Sequence, residues 1–209
     1  MEPVRLEINE LSLRYDELRI ADPAGEARLL ASLAAVGQQS PVLVQVRSDG
    51  EKVLLDGYRR VRALRALAQD LVTSVEVQLP TVDALVLAHR VAAQRRLSAL
   101  EDGWLIRELV EVEKQSQTDL AQRLQRSVSW VSRRLALVSV LPDIVQQRVR
   151  EGRLPAQAAM KYLVPLARAN SADCVVLAEK LGARRTSVRE VEQIYRAWMT
   201  STPEGGHVS

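Results

Sequence analysis

The sequence predicts an α+β protein, with a small α/β unit over residues 1–80 and an all-helical unit over 81–200 that carries a helix-turn-helix at 117–138. Three observations predict it. Period-two alternation and an Asp-Gly reversal mark strands in the first 80 residues. After Pro80 every periodic segment has helical spacing. Within that stretch two short amphipathic segments follow one another across a break of four residues.

Val4, Leu6 and Ile8 alternate with Arg5 and Glu7, the pattern of a half-buried strand. A helix is expected over 25–36, with Leu29, Leu30 and Leu33 on its buried side. Residues 42–46 and 53–56 flank the turn-forming Ser48, Asp49 and Gly50 and read as a hairpin. Gly57 breaks the second strand. Val61, Leu64 and Leu67 fall at helical spacing over 58–68, and a further strand is expected over 74–79. Helices follow over 82–97 and 105–114, then shorter ones up to Trp198. Residues 201–209, rich in Ser, Pro and Gly, read as a disordered tail.

Composition excludes several classes. With 47% hydrophobic residues the 209-residue chain can bury a core, yet no run approaches the ~18 apolar residues of a membrane span. The first residues lack the basic-then-apolar order of a signal peptide, so a cytoplasmic protein associated with nucleoid or plasmid DNA is expected. A single cysteine, Cys174, permits no internal disulfide and no multi-cysteine zinc site. The net charge is only +3, but 25 of the 29 basic residues are arginine. That bias fits bidentate recognition of phosphate and guanine, and equally the codon usage of a GC-rich genome.

In the helix-turn-helix, residues 117–124 place Leu120, Ala121 and Leu124 on one face. After the break at 125–128, Val131 and Leu135 point inward from the second helix. Gln117, Thr118, Arg126, Ser127, Ser129, Trp130, Ser132, Arg133 and Arg134 are the candidate DNA-binding residues. Short hydroxyls allow close approach to the major groove, and arginine bridges guanine. The segment holds four arginines against one aspartate. A helical hairpin with a solvated basic face has the same periodicity. The turn position that usually carries glycine is Gln125, so a remodelled turn is expected.

Residues 57–63, Gly-Tyr-Arg-Arg-Val-Arg-Ala, fall where a strand gives way to a helix N-terminus, a setting that attracts anions. Arginines on the outer side of an amphipathic helix are also commonly just solvated. This segment resembles the Gly-Glu-Arg-Arg-x-Arg-Ala box of the ParB/Spo0J family of partition proteins. Residues 37–44 resemble that family's first box, and 94–101 fall where it carries Glu-Asn-x-Gln-Arg and the residues after it. The helix-turn-helix follows in order, then 141–143, 151–154 and 187–192 resemble the family's downstream helical region. The resemblance implies a sulfiredoxin-like N-terminal fold and CTP as ligand of Gln39, Ser40, Gly57, Arg59, Arg60, Arg62, Gln94 and Arg95. It also implies double-stranded DNA, a ParA-type ATPase and self-association through the N-terminal domain as partners.

The departures carry expectations of their own. Tyr58 stands where the family has Glu, and Val91 and Ala92 align with the Glu-Asn pair that supports hydrolysis and magnesium. Neither Val91 nor Ala92 can bind a cation or activate water, so CTP turnover and a magnesium site are not expected. Asp56 is the nearest substitute carboxylate, and its expected role is to cap the helix or pair with an arginine. The chain ends soon after Trp198, where family members continue into a dimerisation domain, which predicts a divergent, pared-down relative. His89 reads as an ordinary packed or solvated residue, Cys174, Trp104 and Trp198 read as packing residues, and His207 lies in the tail. The leading reading is a site-specific DNA-binding partition protein. The alternatives are a transcriptional regulator of a mobile element, or an enzyme, either a CTPase or a nuclease.

Overall fold

A computed structural model describes residues 2–20, 22–93, 97–182 and 184–201. The chain divides into two compact units, Met1–Leu97 and Ser98–Ser209. The first holds strands β1 (Val4–Glu7), β2 (Leu11–Ser12), β3 (Val42–Val46), β4 (Lys52–Asp56) and β5 (Leu71–Val77), with helices α1 (Pro23–Val36), α2 (Tyr58–Ala66) and α3 (Thr81–Ala93). The sheet order is β1-β5-β3-β4-β2. β3 runs parallel to β5 and antiparallel to β4, while β1 closes antiparallel on β5.

Local chemistry accounts for these elements. Gly50, at φ +86°, lets the chain reverse, and Arg47 and Glu51 join the strand ends through a 3.0 Å backbone bond. Val42, Val44, Val53, Leu54 and Leu55 are all buried, as suits central strands covered on both faces. β5 begins three residues before the expected start, because β1 pairs with that end of it, from Glu7 opposite Leu71 to Val4 opposite Ser74, where the Ser74 hydroxyl donates to the Val4 carbonyl at 3.2 Å. In α1 only Leu33 of the three expected leucines is buried, so the helix lies shallowly. The first unit extends beyond residue 80 because α3 packs on β3 and β4 through Ala84, Leu85, Ala88 and Ala92.

Among its described residues the second unit has helices and no strand: α4 (Ala99–Glu111), α5 (Gln117–Leu124), α6 (Val128–Ser139), α7 (Asp143–Arg150), α10 (Ser171–Lys180) and α11 (Val188–Ser201). Between α7 and α10, α8 (Ala156–Ala158) runs through a π turn (Ala159–Leu163) into α9 (Val164–Ala169). α4 starts at 99 instead of 105 because Ser98 and Glu101 form a capping box. The Ser98 hydroxyl accepts from the Glu101 N–H at 3.1 Å, and the Glu101 carboxylate accepts from the Ser98 N–H at 2.9 Å. Gly103 lies where α4 crosses α6. A Cβ there would sit 2.6 Å from the Arg134 carbonyl oxygen and 2.8 Å from Val138 Cγ1.

Leu100, Ile106, Leu109, Leu120, Val131, Leu137, Leu163 and Leu177 form the core of this unit. Trp104 is buried with the Arg150 guanidinium 4.7 Å from its ring centroid, and Lys180 lies 4.3 Å from that of Trp198. Burial pushes the Cys174 thiol up to about 11, so it packs as a small apolar group. His89 is buried in α3. Ser201 closes α11, and the rest of the expected tail, including His207, lies outside the described residues.

Candidate nucleic-acid interface

α5 and α6 form the helix-turn-helix, and serines begin both helices. The Ser116 hydroxyl accepts the Asp119 N–H at 3.0 Å, and the Ser127 hydroxyl accepts the Trp130 N–H at 3.1 Å. The turn between them keeps its ordinary shape. Gln125 adopts φ +55° and ψ +48°, and the Gln125 and Arg126 N–H groups bond to the Gln122 and Ala121 carbonyls in a Schellman arrangement. The expected remodelling is therefore absent, and Gln125 takes the left-handed conformation itself.

Inward packing rests on Leu120, Ala121, Leu124 and Val131, joined by Ala136, Leu137 and Val138, while Leu135 is only half-buried. On the outer side Thr118, Arg126, Ser127, Ser129 and Arg133 are exposed, and Gln117, Ser132 and Trp130 are partly so. Arg134 is turned away from this group. Its Nε donates to Asp102 of α4 at 3.2 Å, and its Nη1 lies 3.1 Å from the Met160 sulfur on the π turn. Arg126 and Arg134 each stand 5.2 Å from the Trp130 ring centroid. Asp102, Gly103 and Met160 are the supports that periodicity did not single out. Asp102 and Gly103 precede the helix expected from residue 105, and the burial of Asp102 shows only in the fold.

The arginine turn occupies the N-terminus of α2. Gly57, at φ +106°, caps the helix, and a Cβ there would fall 2.5 Å from Val42 Cγ1. All three arginines meet carboxylates. Arg59 pairs with Asp22 at 2.8 Å, and Arg62 pairs with Asp16 and Glu26 at 2.5 Å each. The Gly25 N–H, and then Arg59, hold the Asp22 carboxyl below its ordinary range. Arg60 is buried and reaches Asp56 at 2.9 Å, the Ser40 carbonyl at 2.8 Å, the Ser40 hydroxyl at 2.9 Å and the Pro41 carbonyl. Asp56 thus pairs with an arginine, one of its two expected roles.

Tyr58 is a core residue whose hydroxyl donates to the Leu54 carbonyl, and burial pushes its phenol above the ordinary range. Gln39 is exposed, its amide bonded to the Val36 carbonyl at 2.6 Å. Gln94 and Arg95 lie outside the described residues. Among the described residues no group of His, Cys, Asp and Glu has the arrangement to hold a metal ion, and no helix is long and apolar enough to cross a membrane.

Known proteins share this architecture. Residues 95–200 match the family described as the ParB HTH domain. A nucleoid occlusion protein of Shouchella clausii is 27% identical over 191 residues, 91% of this chain. A probable chromosome-partitioning protein ParB of Pseudomonas putida is 25% identical over 192 residues, also 91% of this chain. The chain spans 64% of the length of each of these relatives. Among solved structures, the C-terminally truncated chromosome-partitioning protein ParB from Caulobacter crescentus, complexed to the centromeric parS site, is 28% identical. That likeness covers 93% of this chain and 99% of the other, at a TM-score of 0.50.

Proposed function

The chain belongs to the ParB family, and on that premise we propose that it binds double-stranded DNA at a specific site and acts in DNA partition. The carrying observation is the outer side of α6. Ser129 and Arg133 are exposed there beside Ser132, and Arg133 makes no ion pair among the described residues. A second helix of this kind enters the major groove, and an uncommitted guanidinium is the group that reads guanine. The Caulobacter crescentus protein held on parS supports the reading and supplies the first duplex to try. Arg133→Ala is expected to cost about 1–3 kcal/mol on the preferred duplex and much less on random DNA, measured by fluorescence anisotropy. Equal losses on both would assign Arg133 to phosphate alone.

The similarity to a nucleoid occlusion protein favours a second reading, in which the DNA site serves nucleoid occlusion. Selection of bound fragments from a random pool separates the two. Recovery of parS supports partition, and a different site with parS unbound supports nucleoid occlusion. A ParA-type ATPase and self-association through the first unit are the partners the partition reading carries.

The same reading makes CTP a ligand of the α2 turn, through the arginines of its Gly-x-Arg-Arg-x-Arg-Ala box. Binding would draw Arg59 and Arg62 from their carboxylates onto phosphate, while Arg60 continues to hold Ser40 and Asp56. Arg59→Ala and Arg62→Ala are thus cleaner probes than Arg60→Ala, which also unties the loop. Calorimetry is expected to show CTP preferred to ATP, and no heat with CTP, with or without DNA, would leave the arginines structural. Turnover is not part of the reading, because Val91 and Ala92 offer neither cation ligand nor proton acceptor.

A further inference from the structure

We propose that Trp130 is a positioning residue for Arg126, a shelf that sets the Arg126 guanidinium against nucleic-acid phosphate at the N-terminus of α6. The inference rests on the DNA-binding reading. It goes beyond that reading by giving the indole a role that contact with a base does not require.

The two guanidiniums beside Trp130 lie in different circumstances. Arg134, four residues after the tryptophan, is a fixed support, since the mostly buried Asp102 and the Met160 sulfur hold its Nε and Nη1. Arg126, four residues before, is exposed and pairs with no carboxylate among the described residues. Both stand 5.2 Å from the ring centroid, within the range of cation–π attraction. The backbone of Trp130 is fixed as well, because its N–H donates to the Ser127 hydroxyl at 3.1 Å. Asp102, Arg134, Trp130 and Arg126 therefore form a series that begins in the core and ends at the surface.

A free arginine gives up much rotamer freedom when it binds. One held against an indole has given up part of that freedom beforehand, while the edges of its guanidinium stay available as donors. Its place also favours an anion. Arg126 lies two residues ahead of α6, a helix of 12 residues whose dipole adds positive potential at that end. A phosphate is the matching chemistry, so the contact should strengthen binding to any duplex.

The test uses the full chain, the duplex it selects from a random pool, and a random duplex of equal length. Arg126→Ala is expected to weaken both complexes about tenfold and to lower the slope of log affinity against log salt by about one. Trp130→Ala should weaken both to a similar degree, and Trp130→Phe should retain most of the affinity. The double variant Arg126→Ala/Trp130→Ala should bind no more weakly than Arg126→Ala alone. Arg126→Lys tests the same point without altering the tryptophan. It keeps the charge and the salt slope but loses the flat cation, so its affinity should fall. Additive losses in the double variant, or Arg126→Lys at full affinity, would overturn the positioning role while leaving DNA binding intact. A parent protein that holds no duplex at any salt would overturn both.

Discussion

At the scale of single residues, the turn of the helix-turn-helix shows what one side chain costs. Gln125 occupies the left-handed region, where a Cβ is penalised by roughly 1–2 kcal/mol, and its side chain is exposed. Glycine avoids that penalty but loses roughly 0.5–1 kcal/mol more backbone entropy on folding. Gln125→Gly is therefore expected to stabilise the second unit by about 0.5–1 kcal/mol and to raise its melting temperature by a few degrees. Calorimetric melting checks this, and a lower melting temperature would mean that the glutamine supports the turn in some other way. The sequence identified Gln125 as anomalous but not how the chain would respond to it. Arg133 and Arg134 illustrate a similar limit. Helical spacing placed both outward, yet Arg134 is drawn to Asp102, a residue 32 positions earlier, and no local pattern reveals such a pairing. The arginines of the α2 turn and the neighbouring Asp56 were legible because they lie together in sequence, and the other carboxylate partners were not. Asp16, Asp22 and Glu26 reach them only through the tertiary fold.

At the scale of elements, the crossing of α4 and α6 depends on an absent side chain. An alanine Cβ at 103 would meet a backbone oxygen at 2.6 Å, and a backbone atom cannot rotate aside as a side chain can. Gly103→Ala should thus destabilise the unit by about 1–3 kcal/mol in spite of alanine's better helix propensity. Combining it with Val138→Ala should restore little, because the Arg134 carbonyl remains in place. Recovery of the parent melting temperature in that double variant would show that Val138 alone sets the separation. Element types were read well from periodicity, because amphipathic faces and the Asp-Gly reversal are local features. Boundaries failed where residues had non-local or capping roles. Ser98 and Glu101 begin α4 six residues before the expected start, and the first residues of β5 are strand because they pair with the distant β1. The π turn at Ala159–Leu163 and the two-residue β2 left no recognisable trace in the sequence.

At the scale of the whole molecule, the two units differ in how far apart in sequence their contacts lie. The helical unit is built largely from near neighbours, with α4 and α5 packing on α6 and α9 on α10. The sheet instead joins Val4 to Ser74 and Val42 to Ser74. Non-local pairing of this kind slows folding, because loop closure is paid for before contacts form. All three tryptophans, Trp104, Trp130 and Trp198, belong to the helical unit, so tryptophan fluorescence follows that unit alone. On refolding from denaturant, the tryptophan signal is expected to recover before the β5 amides gain protection in pulsed hydrogen exchange. Protection of β5 first would contradict this order. During synthesis the sheet imposes a further constraint. The β3–β4 hairpin needs only 15 consecutive residues, Val42–Asp56, but β1 has no strand to pair with until β5 has left the ribosome. Of the five strands, β1 is thus the first made and among the last seated, and until then a nascent chain exposes an open strand edge to neighbouring ribosomes and chaperones.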